Sequence, residues 1–114
     1  MENKIKRSVA TLLAHIIKID HRDIDKEAPL FCKLLGQDFN CGEEESREIL
    51  QQVLNNDYDL NEHIGIINNA LKDDRLNKMR ILKQFNHIIY SDKIEPRDYD
   101  EFEKVKKILF PNVN

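Results

Sequence analysis

Apolar residues recur at intervals of three and four from one end of this chain to the other. No segment alternates apolar and polar residues for long enough to make a strand. That single pattern confines the chain to an all-α fold. Over 5–19 the stripe is Val9, Leu12, Leu13, Ile16 and Ile17. A second helix is expected with Asp25 as its cap, Pro29 in its first turn and Gly36 as its left-handed end. Gly42 then opens 43–55, where three successive glutamates suit the positive end of the helix dipole and Ile49, Leu50, Val53 and Leu54 face inward. Asp59 with Glu62 reads as a capping box ahead of Ile64, Ile67 and Leu71. Asp73 or Asp74 starts the fifth helix, with the stripe Leu76, Met79, Leu82, Phe85, Ile88 and Ile89. Pro96, preceded by Glu95, starts the sixth, with Phe102, Val105, Ile108 and Leu109 on its inner side and Pro111 at its end. The expectation is one compact bundle of six helices over 1–114.

With 40% apolar and 34% charged residues, the 114-residue chain has material for a core. The net charge of −3 lacks the basic excess of a nucleic-acid binder. No apolar run is long enough to cross a bilayer, and no apolar segment follows the basic start, so a cytoplasmic protein is expected. Cys32 and Cys41 form no CxxC motif, and His15, His21, His63 and His87 offer no HxxxH pair for zinc. Charge is distributed unevenly. Residues 37–62 hold eight acids and one base, whereas 72–83 hold Lys72, Arg75, Lys78, Arg80 and Lys83 against Asp73 and Asp74.

The chain also repeats itself. His15-Ile16-Ile17-Lys18-Ile19-Asp20 matches His87-Ile88-Ile89-Tyr90-Ser91-Asp92 at an offset of 72. In each copy a helix ends at an Asp, an acidic loop with one Ile follows (Ile24, Ile94), and another helix begins. Two helix–loop–helix units therefore bracket a central pair of helices.

This arrangement resembles the TerB-like family, in which an apolar helix, an Ala-Asp-Gly corner, a short loop with an aliphatic residue and an acid opening the next helix occur twice. The resemblance spans roughly residues 8–109. The family's loop Gly is His21 in the first copy and Lys93 in the second. It implies a helical bundle of bacterial stress systems, tied to tellurite resistance and found fused to DnaJ-type co-chaperones, without established enzyme activity. It further implies divalent-cation binding by the acidic residues in some members. Asp20 and Asp92 carry over directly, and Glu27 and Asp98 carry over with a slip in the spacing.

Asp20, Asp23, Glu27, Asp92, Glu95 and Asp98 are thus the candidate ligands for a divalent cation, Ca²⁺ or Mg²⁺, supplied by two loops that a pseudo-twofold would bring together. The competing reading needs no ion. In it Asp25 and Glu95 cap helices, Glu27 and Asp98 favour first-turn dipoles, and Asp20 and Asp92 bind N–H groups of their own loops. Functionally, a non-enzymatic domain with a protein partner stands against two alternatives. One is a small acid–base enzyme using paired carboxylates. The other is a homo-oligomeric module with Phe39, Tyr58 and Phe110 exposed as a contact patch. No nucleic acid is expected as a partner.

Overall fold

The computed structural model describes residues 1–112. Its elements are a 3₁₀ turn at Asn3–Ile5 followed by α1 (Lys6–Ile19), α2 (Ile24–Phe39), α3 (Glu43–Asn55), α4 (Leu60–Ala70), α5 (Arg75–Tyr90) and α6 (Pro96–Leu109). Among the described residues there is no strand, and no helix is long and apolar enough to cross a membrane.

The first helix is the axis of the bundle. It packs against α2, α3, α4 and α5, while α6 lies against α4 and α5. Its apolar surface is accordingly wider than the one stripe expected: every residue from Ser8 to Ala14 is buried, as are Ile16 and Ile17. A helix apolar around most of its circumference belongs in the interior. Phe31 of α2 and Phe85 of α5 are the bulkiest of the fully buried side chains around it.

Most helix starts follow local chemistry. The Asp59 carboxylate accepts from the Asn61 and Glu62 N–H groups at 3.0 and 3.4 Å, and Asp74 accepts from Asn77 N–H at 3.1 Å. Gly42 opens α3 and Glu95 opens α6, with Pro96 at the first helical position.

The second helix departs from expectation at both ends. Asp23, not Asp25, is its cap and accepts from Asp25 N–H at 3.0 Å. Pro29 therefore falls in the second turn, where its missing N–H leaves the Asp25 carbonyl without a helical donor. Both residues lie at the surface. Gly36 is not the left-handed terminus: α2 continues to Phe39, and Asn40 takes that conformation at φ 51°. Asn shares with Gly a tolerance for it. Gly36 is small for another reason. A Cβ there would lie 3.0 Å from the Cys41 carbonyl oxygen, which the turn at Asn40 folds back over the helix.

The inner face of α5 is rotated from the expected stripe. Leu82, Phe85, Ile88 and Ile89 are buried, joined by Ile81, but Leu76 is 86% exposed and Met79 41% exposed. A chain of steps of three drifts around a helix by about 60° per step, so Leu76 ends up opposite Phe85. Two of the three aromatics expected at the surface are covered. Phe39 and Phe110 are buried and Tyr58 is half-buried, which removes that contact patch.

Candidate functional site

The two repeat corners meet, and an arginine lies where they meet. The last turn of α1 closes with two bonds: His21 N–H donates to the Lys18 carbonyl at 3.2 Å, and Arg22 N–H to that of Ile17 at 3.0 Å. This pairing needs a left-handed residue just past the cap, and His21 provides it at φ 50°. The turn throws Arg22 inward rather than out to solvent.

Its guanidinium, 3% exposed, reaches the end of α5. There it donates to the carbonyls of Ile88 (2.6 Å), Ile89 (2.8 Å) and Lys93 (3.2 Å). The last carbonyls of a helix lack partners within it and carry the negative end of its dipole, so a five-donor cation suits them. Three carboxylates surround the same group: Asp20 and Asp98 at 3.5 Å and Glu27 at 3.6 Å. All three are nearly inaccessible, with side chains 2%, 0% and 2% exposed.

Outer contacts complete the cluster. Ser91 donates its hydroxyl to Glu27 at 2.7 Å, and Arg97 donates to Asp20 at 2.8 Å. Lys26 donates to Asp92 at 3.1 Å. The last two are reciprocal: each corner's Asp pairs with a base in the first turn of the other unit's second helix. The caps Asp23 and Glu95 are likewise 72 positions apart, the offset of the repeat. The loop isoleucines do not correspond, because Ile24 is already the first residue of α2 while Ile94 precedes α6. Nor does Lys93 share the left-handed backbone of His21, since the second corner is one residue longer and turns differently.

The six candidate ligands therefore divide. Asp20, Glu27 and Asp98 converge, but on a guanidinium that fills the centre an ion would need. Asp23 caps α2. Glu95 caps α6, its own N–H donating to Asp98 at 2.9 Å. Asp92 is held by Lys93 N–H at 2.8 Å and by Lys26, and these contacts keep its carboxyl below the usual carboxylate range. Among the described residues no group of three or more His, Cys, Asp or Glu is arranged to hold a metal ion, and this donor set does not fit one. Of the ion-free roles, Glu95 as a cap holds and so does Asp92 on its own loop. Asp25 is no cap, and Asp20 binds arginines rather than a loop N–H.

Arg22 is the residue that sequence reading missed. The signal was present: it is a lone base amid Asp20, Asp23 and Asp25, in a loop read for its acids only.

Three carboxylates against Arg22 and Arg97 leave one negative charge in excess. Asp98 absorbs it. Burial first, and Asp20 beside it, push its carboxyl up to about 6, against the Glu95 N–H and Arg22, which pull it down. A carboxyl raised above its unfolded value of 3.8 adds stability that is fully present below that value and lost as pH rises through about 6. Asp98→Asn keeps the acceptor for Glu95 N–H and removes the charge. It is expected to gain on the wild type as pH rises from 4 to 7, by at most about 3 kcal/mol. Urea unfolding at several pH values checks this; parallel profiles for the two proteins would refute it.

The matched histidines do not make a site. His15 accepts or donates through Nδ1 at 2.6 Å from the Tyr58 hydroxyl, and its Nε2 lies 3.5 Å from Glu101. Burial lowers its pKa, and pushes that of Tyr58 up to about 12. His87 is exposed on α5.

Fold and site together define a six-helix bundle of two interlocked helix–loop–helix units joined by a buried ionic cluster. No protein-family model, curated protein or solved structure matches this chain.

Proposed function

We propose that this chain is a non-enzymatic helical domain that works by binding a protein partner. One observation carries the reading. The carboxylates best placed for acid–base work, Asp20, Glu27 and Asp98, are turned inward onto Arg22 and are 2% exposed or less, out of reach of any substrate. They hold the fold's two halves together instead. What remains on the surface is suited to recognition: Leu76, Met79, Tyr90 and Tyr99 are exposed large side chains on α5 and α6. The TerB-like resemblance supports placing this role in a bacterial stress response in the cytoplasm.

The test is crosslinked affinity capture of the intact chain from its native host, followed by rebinding of the captured protein in purified form. A saturable complex of fixed stoichiometry is the expected result. Turnover of a small molecule that disappears in an Asp20→Asn variant with an unchanged melting temperature would overturn the reading in favour of an enzyme.

A further inference from the structure

We infer that the outer face of α5 is a docking ridge for an acidic amphipathic helix of another protein. This rests on the reading that the chain acts by binding a protein, and names the surface and the chemistry of the partner.

At about 100° per residue, Leu76, Met79, Lys83, His87 and Tyr90 all fall within about 60° of one line along the helix. This is the face turned away from the buried Phe85. Leu76 is 86%, Met79 41% and Tyr90 57% exposed, an unusual density of large apolar groups for a solvent-facing helix. A groove runs along each side. The one toward α2, about 640 Å³, has Leu34 and Gln37 as its far wall. The one toward α6, about 470 Å³, is floored by Leu82 and walled by Phe102. Met79, Lys83 and His87 line both. A ridge between two part-apolar grooves is what a helix laid alongside would straddle, its anchors at three- and four-residue spacing.

The charge selects which helix. Arg80, Lys83 and His87 line these grooves and no Asp or Glu does. Beyond Leu76 the charge is balanced, Lys72 and Arg75 standing against Asp73 and Asp74, so the basic character belongs to the stretch from Arg80 to His87. Arg80 is paired with the buried Asp38 at 2.8 Å, which leaves Lys83, among the described residues, as the unpaired cation of the ridge. An acidic rim is therefore the complement. From Leu76 to Tyr90 the ridge spans about 21 Å, four turns of a partner helix.

A second copy of this chain is a poorer occupant. Its acidic helix is α3, with Glu43, Glu44, Glu45 and Glu48, but the apolar residues of that helix, Ile49, Leu50 and Val53, are buried in its own core. It offers the charge without the anchors.

The probe is a synthetic 18-residue amphipathic peptide with leucines at i, i+3, i+4 and i+7 spacing and glutamates on its flanks. A twin carries lysines in place of the glutamates. Binding to the full chain is followed by fluorescence anisotropy, and the site is mapped by amide chemical shifts. The glutamate peptide is expected to bind, to shift amides of residues 76–90, and to weaken with salt. The lysine twin is expected to bind at least tenfold more weakly. Leu76→Ser and Lys83→Glu should each weaken the glutamate peptide about tenfold while leaving the melting temperature unchanged, since both side chains are exposed. Equal binding of the two peptides, or full binding by both variants, would overturn the inference. So would a dimer in light scattering that Leu76→Ser dissolves, because it gives the ridge to a second copy. If the captured partner still binds both variants at full strength, the ridge assignment fails while the interaction role stands. If no partner rebinds at all, the role itself fails.

Discussion

Arg22→Met is expected to cost about 3–5 kcal/mol at pH 7, the range for removing one partner of a buried ionic cluster. A domain of this size has about 5–15 kcal/mol in total, so the variant sits at the edge of folding. Methionine fills much of the space and supplies no donor. The carbonyls of Ile88, Ile89 and Lys93 lose their bonds to the guanidinium, and Asp20, Glu27 and Asp98 face one another with Arg97 alone to offset them. Buried carboxylates without a counter-charge respond by holding protons, so their folded-state values rise. Such groups add stability below their unfolded values and lose it as pH rises. The loss should therefore shrink on acidification toward pH 4. Arg22→Lys is expected to fall in between: the charge is kept, but one ammonium cannot span three carbonyls as the planar fork does. Urea unfolding followed by circular dichroism at pH 7 and pH 4.5 measures all of this. A methionine variant within 1 kcal/mol of the wild type at pH 7 would sink the claim that Arg22 joins the two halves.

That claim also marks where sequence reading succeeds and where it stops. Helix number and order follow from periodicity and caps, because both are local: Asp59, Asp74 and Pro96 declare helix starts from their own neighbourhood. The errors sit where a distant group decides. Gly36 looked like a terminus because glycine usually marks one, yet it is small to admit the Cys41 carbonyl. The α5 stripe reads in steps of three, and nothing local says that Ile81 rather than Leu76 is buried. The acidic loops look like cation ligands, and their cation is a side chain of the same loop, Arg22. Electrostatic logic was sound there, since converging carboxylates do demand positive charge. What the sequence could not display was that His21 turns left-handed and aims Arg22 at the far helix. The repeat survives in the 72-residue offset of the caps and in the paired Asp20–Arg97 and Asp92–Lys26 contacts, although its two corners are built differently.

Phe85→Ala should cost nearly as much as losing Arg22, about 3–5 kcal/mol, and for an unrelated reason. Phe85 is fully buried on α5, and its ring lies nearly parallel to that of Phe102 on α6, at 11° with centroids 6.5 Å apart. α6 packs mainly on α4 and α5, and this stack is part of its apolar contact with α5. Truncation leaves a cavity at the α5–α6 seam, which the surrounding helices close only in part. Hydrogen exchange should then rise first over 96–109, and with it the mobility of Asp98, which α6 carries into the ionic cluster. Leu76→Ala is the matched control. It lies nine residues earlier on the same helix, and at 86% exposure its truncation should move stability by no more than about 0.5 kcal/mol. Two apolar residues on one helix would thus differ several-fold in cost according to the face each occupies. Similar losses for both would mean that α5 is rotated from the position described, and with it the ridge proposed for a partner.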